Sequence, residues 1–161
     1  MRLMQRTVLL LGLGLWLTHA VTADVIYDKE KLSDAREHQV KCQLIFSENT
    51  KALIVTVAGR TVADIPYNTI DKFSYEFAKH HRIKQGAIVM VASLGAGAVV
   101  MLTKSKTHWL TVDYHEGQTA KELVLRMDKK DYKDIISTAQ AQTGKSVEMV
   151  EGAVKHKKSK R

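Results

Sequence analysis

The chain has 161 residues, of which 45% are hydrophobic, 26% charged and 6% aromatic, with one cysteine and one proline. An ordinary apolar fraction excludes a disordered chain, and the single Cys42 excludes a scaffold stapled by internal disulfides. The length suits one globular domain and leaves little room for a two-domain enzyme, since domains commonly run to roughly 100–150 residues.

The first segment carries a targeting pattern. Arg2 and Arg6 precede or open an apolar, leucine-rich run over residues 7–17, and Val21-Thr22-Ala23 makes a small-residue exit before Asp24. A positive flank, an apolar core and such an exit are the three parts of a secretory signal peptide, so residues 1–23 are expected to direct export and be removed. Cleavage after Ala20 is the other site the pattern allows. An uncleaved anchor competes, although the apolar run falls short of the ~20 residues that span a bilayer. No cysteine follows the run, so a lipoprotein signal is not expected. The destination implied is the periplasm, the cell envelope or the extracellular space.

The formal net charge of +8 sits at the two ends of the chain. Residues 1–23 hold two arginines and no acid, and Lys155, Lys157, Lys158, Lys160 and Arg161 close the chain without one. What remains is nearly neutral, with 18 basic against 17 acidic residues. A nucleic-acid-binding domain would be expected to carry its positive charge on a folded face, so nucleic acid is not the expected partner.

Residues 24–40 form a polar lead segment of weak pattern. From residue 41 the apolar residues alternate, as in an antiparallel sheet. Residues 41–47 predict a strand with Cys42, Leu44 and Phe46 on one face, which places the cysteine in the core as an unpaired thiol. Glu48-Asn49-Thr50 turns the chain into a partner strand over 51–57, with Leu53, Val55 and Val57 on one face. A third strand over 61–65 ends at Pro66, which cannot donate to a ladder. Phe73, Tyr75 and Phe77 alternate in a fourth. Leu110, Val112 and Tyr114 mark a fifth over 108–115, and Leu123, Leu125 and Met127 a sixth over 119–127. The period then becomes helical. Asp128 fits an N-cap with Asp131 at the third position, Tyr132, Ile135, Ile136 and Ala139 form the apolar stripe, and Gly144 stops the helix. Residues 146–161 are expected to be a polar, then basic, disordered tail.

These strands, an Ile65-Pro66-Tyr67-x-x-Ile70 turn and a closing helix that begins Asp128-Lys129-Lys130-Asp131-Tyr132 resemble bacterial pleckstrin-homology-like or GRAM-like domains over about residues 41–145. The resemblance implies an α+β fold, a curved antiparallel sheet or barrel capped by one C-terminal helix. It also implies a binding or scaffold module without chemistry of its own. In phosphoinositide-binding members a basic pocket lies in the first strand loop. Here that loop is taken as Glu48-Asn49-Thr50 with only Lys51 nearby, which argues against phosphoinositide recognition.

No nucleophile elbow, Cys-x-x-Cys pair or phosphate-cradling glycine loop is present, so no catalytic residue and no cofactor is expected. His80, His108, Asp113 and His115 are the candidate metal ligands, since Asp113 and His115 share a strand face and a neighbouring strand could supply His80. Outward polar residues on a solvated strand are the simpler reading. The same neighbourhood defines an alternative function, a small metal-dependent or hydrolytic envelope enzyme.

The anomalous segment is residues 86–102, 17 residues without a charge, with Lys84 before it and Lys104 and Lys106 after it. Three readings compete: a spanning helix, which the length only just permits; two arms folded back at Gly95 and Gly97 and buried on the sheet; and a protruding loop whose Val89, Met90, Leu94, Val99, Val100 and Met101 enter a lipid surface or a partner's groove while the three lysines rest on phosphates. With the basic tail, the third makes the chain a non-enzymatic exported module whose partner is an anionic membrane surface or an envelope protein.

Overall fold

A computed structural model describes residues 23–33, 38–79, 88–89, 99–100 and 106–150. The signal-peptide reading, most of the segment 86–102 and the tail 155–161 lie outside the described residues.

The elements are β1 (Val25–Ser33), β2 (His38–Ser47), β3 (Ala52–Val57), β4 (Arg60–Pro66), a 3-10 turn (Tyr67–Thr69), β5 (Ile70–Ala78), β6 (Ile88–Val89), β7 (Val99–Val100), β8 (Thr107–Glu116), β9 (Thr119–Met127), α1 (Tyr132–Thr143) and β10 (Val147–Val150). The strands form one curved, unclosed sheet in the order β10-β5-β8-β9-β1-β2-β3-β4. β6 pairs with β9 and β7 with β2, off the main path. All pairings along the path are antiparallel except that of β10 on β5.

Alternation explains the core. Cys42, Leu44 and Phe46 of β2, Leu53 and Val55 of β3, Phe73 of β5, Leu110 and Val112 of β8, and Leu123 and Leu125 of β9 are all buried in one cluster. Fully burying each large apolar side chain contributes about 1.5–3 kcal/mol. Burial, with the Glu30 carboxyl adding to it, pushes the Cys42 thiol up to about 12, so the thiolate is not the form present near neutrality. Pro66 ends the edge strand β4, where its missing N–H breaks no ladder.

Helix α1 closes one end. Its C-terminal stop is Gly144, left-handed at φ 67°, whose N–H donates to Gln140 O at 3.0 Å. The start differs from the sequence expectation. Asp128 caps a turn rather than the helix: its Oδ1 accepts from Lys130 N at 2.8 Å and its carbonyl accepts from Asp131 N and Tyr132 N. The helix begins three residues later, with Asp131 as N-cap residue. Ile135, Ile136 and Ala139 are buried beneath it, as the stripe implies.

Three further differences concern strands. The segment 24–40 holds β1 and the start of β2. β1 hides from a period-two reading because a bulge between Tyr27 and Glu30 breaks its phase, so that Tyr27, Glu30 and Leu32 are the inward residues. Consequently Glu48-Asn49-Thr50 is the second strand connection. The first spans residues 34–37, outside the described residues, so the charge of Glu48-Asn49-Thr50 carries no information about phosphoinositide recognition. Residues 147–150, expected in the polar tail, form β10 with Val147 buried.

The two apolar arms both meet the sheet. Ile88 and Val89 pair in parallel with Lys121 and Glu122, and Val99 and Val100 pair with Gln39 and His38. No helix among the described residues is long and apolar enough to cross a membrane.

Tyr27 fastens the helix to the sheet. Its hydroxyl donates to Asp134 Oδ2 at 2.7 Å and shares a 2.8 Å hydrogen bond with Thr138 Oγ1, while its ring meets Phe46 edge-on. Tyr27→Phe should therefore lower stability by about 0.5–1.5 kcal/mol, since it removes the hydroxyl that bonds the exposed Asp134 and the half-buried Thr138. Urea denaturation checks this, and the lost stability should reappear as faster hydrogen exchange in α1.

Candidate functional site

At the end where β9 passes into α1, aromatic side chains from three elements come together. Phe73, Tyr75 and Phe77 share one face of β5 and run from full burial to the rim, where Phe77 is 44% exposed. His108 of β8 lies directly across from Phe77, with ring centroids 4.8 Å apart. Tyr132, the first residue of α1, stacks on His108 at 3.8 Å and 10° between planes. Tyr75 Oη and His108 Nδ1 share a hydrogen bond of 2.8 Å. Burial holds the His108 pKa below its ordinary value, Lys129 adds to the effect and Asp128 opposes it. The imidazole is a packing ring with one hydrogen bond committed.

Beside this stack lies a groove of about 500 Å³. Lys29, Lys31, Lys106, Arg126 and Lys129 line it, and Asp128 is the one carboxylate among the described lining residues. Topology makes the cluster: the β1 bulge presents Lys29 and Lys31, β9 brings Arg126, and the turn into α1 brings Lys129. Lys31 and Arg126 are register partners across β1 and β9. Burial, with Arg126 opposite, lowers the Lys31 pKa. Arg126 is held by Nε on Thr107 Oγ1 at 3.1 Å and Nη1 on Gln39 Oε1 at 3.0 Å. Lys106 Nζ stands 5.8 Å from the centroid of the Phe77 ring. A second hollow of about 600 Å³ continues past Phe77 and His108 to Lys130, Tyr132 and Lys133.

Under the groove's edge lies Glu30, with no exposed surface. Its Oε2 accepts from Asp128 N at 2.8 Å, and Oε1 has no hydrogen-bond partner among the described residues. Burial is the main cause that pushes this carboxyl from 4.5 to about 7, against the backbone hydrogen bond that lowers it.

Of the residues singled out in the sequence, Lys106 and His108 belong to this site. Val89, Val99 and Val100 lie in β6 and β7. Met90, Leu94, Met101, Lys84, Lys104, His80 and the tail residues Lys155, Lys157, Lys158, Lys160 and Arg161 lie outside the described residues. Among the described candidates, His108 is not brought to Asp113 and His115. His108 and His115 stand seven residues apart on β8, roughly 23 Å at strand rise, and on opposite faces. His115 Nδ1 pairs instead with Asp71 Oδ1 at 3.1 Å, near the exposed end of the strand, and Asp113 faces Lys72 and Glu122 in the register. Among the described residues no group of three His, Cys, Asp or Glu side chains is placed to hold a metal ion. Lys29, Lys31, Arg126 and Lys129 escaped the sequence reading, although the Phe73-Tyr75-Phe77 stripe leading to them was visible.

The architecture is that of a pleckstrin-homology-like α+β domain. Its likeness to a solved structure says the same: a chain of the Spt16D Pob3N heterodimer superposes with a TM-score of 0.50 at 12% identity, over 87% of this chain and 61% of that one. The chain therefore spans about three fifths of that neighbour, and the likeness is one of fold. No protein-family model matches the sequence, and no curated protein matches it.

Glu30 gives a test of site electrostatics. With its carboxyl raised in the folded state, the native protein binds more protons than the unfolded chain between about 4.5 and about 7, so stability from this group falls as pH rises through that window. Glu30→Gln should flatten that part of the profile and stabilise the protein above pH 7 by on the order of 1–3 kcal/mol. Urea midpoints at pH 5, 6, 7 and 8 measure it.

Proposed function

We propose that this chain is an exported, non-enzymatic binding or scaffold module of the bacterial pleckstrin-homology-like, GRAM-like kind, working at a membrane surface of the cell envelope. The observation that carries the reading is the groove: five cations with one carboxylate among its described lining, beside the part-exposed Phe77. An anionic lipid surface matches that combination, because its phosphates attract the lysines while an aromatic ring settles at the headgroup level. The apolar segment 86–102 and the tail 155–161 would add a shallow insertion and a polybasic contact, and two weak signals together hold where one gives only reversible attachment. An acidic envelope protein is the competing partner, drawn by the same cations.

Vesicle flotation tests it. The mature protein should float with vesicles containing anionic lipid and not with neutral ones, more strongly at low salt. Lys106→Gln combined with Lys129→Gln should weaken binding about 10- to 30-fold at low ionic strength, at about 1 kcal/mol per basic residue. Phe77→Ala should weaken it at every salt concentration. Absence of flotation with anionic vesicles at low salt would overturn the membrane reading in favour of a protein partner.

A further inference from the structure

One edge of the sheet is closed by a strand that fits its place only in part. β10 is four residues long, stands at the end of the described strand path, and pairs there in parallel, a pairing slightly less stable per residue than an antiparallel one. Connectivity delivers it: α1 stops at Gly144, and Lys145 and Ser146 lead into the strand. Val147 stands beside Phe73 of β5 and is buried. Met149 stands beside Tyr75 and shares the side of Val147, since alternate residues of a strand face one way, yet it is 63% exposed. Between them Glu148 pairs with Lys72, and both side chains are solvated, so that ion pair adds little to the hold.

The first position of this edge is therefore filled and the third is not. At the third, Tyr75 presents a half-buried ring that stacks on Tyr132 of α1 with centroids 5.9 Å apart. An aromatic residue in the place of Met149 would gain contact with that ring beyond the area it buries. A terminal strand with one buried side chain in four belongs to the low-stability end of a structure, where opening is local. Once open, the edge of β5 offers its main-chain N–H and C=O groups as a template for another strand.

We propose that the β5 edge is a strand-receiving site that β10 occupies in cis, and that an extended segment of a protein partner replaces it, running parallel to β5 with a branched aliphatic residue in the seat of Val147, an acidic residue facing Lys72 and an aromatic residue against Tyr75. Main-chain hydrogen bonds supply the affinity and the alternate side chains the specificity. The short tether through Gly144, Lys145 and Ser146 keeps β10 at high effective concentration, so the occupied form is the resting one. This edge lies outside the described lining of the cation groove, so the proposal is independent of the membrane-surface reading.

Fluorescence anisotropy on the full chain tests it with three labelled peptides: Ser-Val-Glu-Met-Val-Glu, which copies β10, Ser-Val-Glu-Phe-Val-Glu and Ser-Val-Lys-Phe-Val-Glu. Val147→Asp ejects the cis strand and should bind the phenylalanine peptide about tenfold more tightly than the wild type does, because the tethered competitor is gone. The same variant should prefer the phenylalanine peptide to the methionine copy. It should bind the lysine peptide about tenfold more weakly, and Lys72→Glu added to it should restore that binding. Met149→Pro opens the edge by a second route that costs no core contact, since this side chain is exposed. In the wild type, β10 amides should exchange their hydrogens faster than those of β8, which is paired on both sides. Absence of peptide binding to both variants while circular dichroism shows them folded would overturn the site. So would loss of the fold in both variants, or β10 exchange as slow as that of β8, since either makes β10 a fixed part of the domain. A wild-type dimer in sedimentation that Val147→Asp abolishes would make the occupant a second copy and overturn the partner segment.

Discussion

A single bulge in β1 sets the geometry of both the core and the groove. Between Tyr27 and Glu30 the strand gains one residue that its partner β2 lacks, and its inward phase shifts. The shift places Tyr27 under α1, where its hydroxyl reaches Asp134 and Thr138, and places Glu30 under the turn that leads into the same helix, where it accepts from Asp128 N. The residues displaced outward are lysines. Lys29 and Lys31 meet the end of β9 and the first turn of the helix because the bulge has fixed what lies beneath them. Without it, regular alternation would send Tyr27, Lys29 and Lys31 to one face, and the helix contact and the cation cluster could not both exist.

The groove also shows how a nearly neutral body presents a strongly positive surface. Net charge says little here, since of the carboxyls near the start of α1 only Asp128 lines the groove and Glu30 is turned inward. Asp128 closes its turn, Asp134 binds Tyr27, and Glu30, buried and raised to about 7, carries less than a full charge at neutrality. The nearby cations include Arg126, whose hydrogen bonds leave its charge intact, because Thr107 and Gln39 are neutral. Local potential thus follows which side chains the fold turns inward, a matter of register rather than of composition.

Six strands and the helix were legible because their alternation is unbroken and their inward residues are apolar: Cys42, Leu44 and Phe46 in β2, or Leu123, Leu125 and Met127 in β9. β1 was not, because a bulge breaks its period and a glutamate occupies an inward position. β10 is four residues long and pairs in parallel with β5 from the far side of the helix, and so leaves no local signature. The site was legible only in part. The stripe Phe73, Tyr75, Phe77 pointed toward it, but its cations come from β1, from Lys106, from β9 and from the helix entry, about a hundred residues apart in sequence, and only strand pairing brings them together. For the histidines the decisive cue was parity. Positions 108 and 115 differ by an odd number, which puts them on opposite faces of any regular strand.

The stretch that contains the uncharged segment is bounded by neighbours on the sheet. β5 ends at Ala78, whose carbonyl accepts from Trp109 Nε1, and β8 begins at Thr107, whose hydroxyl accepts from Arg126. Ala78 and Thr107 are register partners, so departure and return are neighbours on the sheet, with Phe77 and Lys106 beside them on the groove. In between, β6 aligns with Lys121 and Glu122, and β7 with His38 and Gln39, the residue that holds Arg126. β7 is therefore paired with the residue whose side chain holds Arg126. Gln39 thus takes part in both, with its backbone beside β7 and its side chain on Arg126.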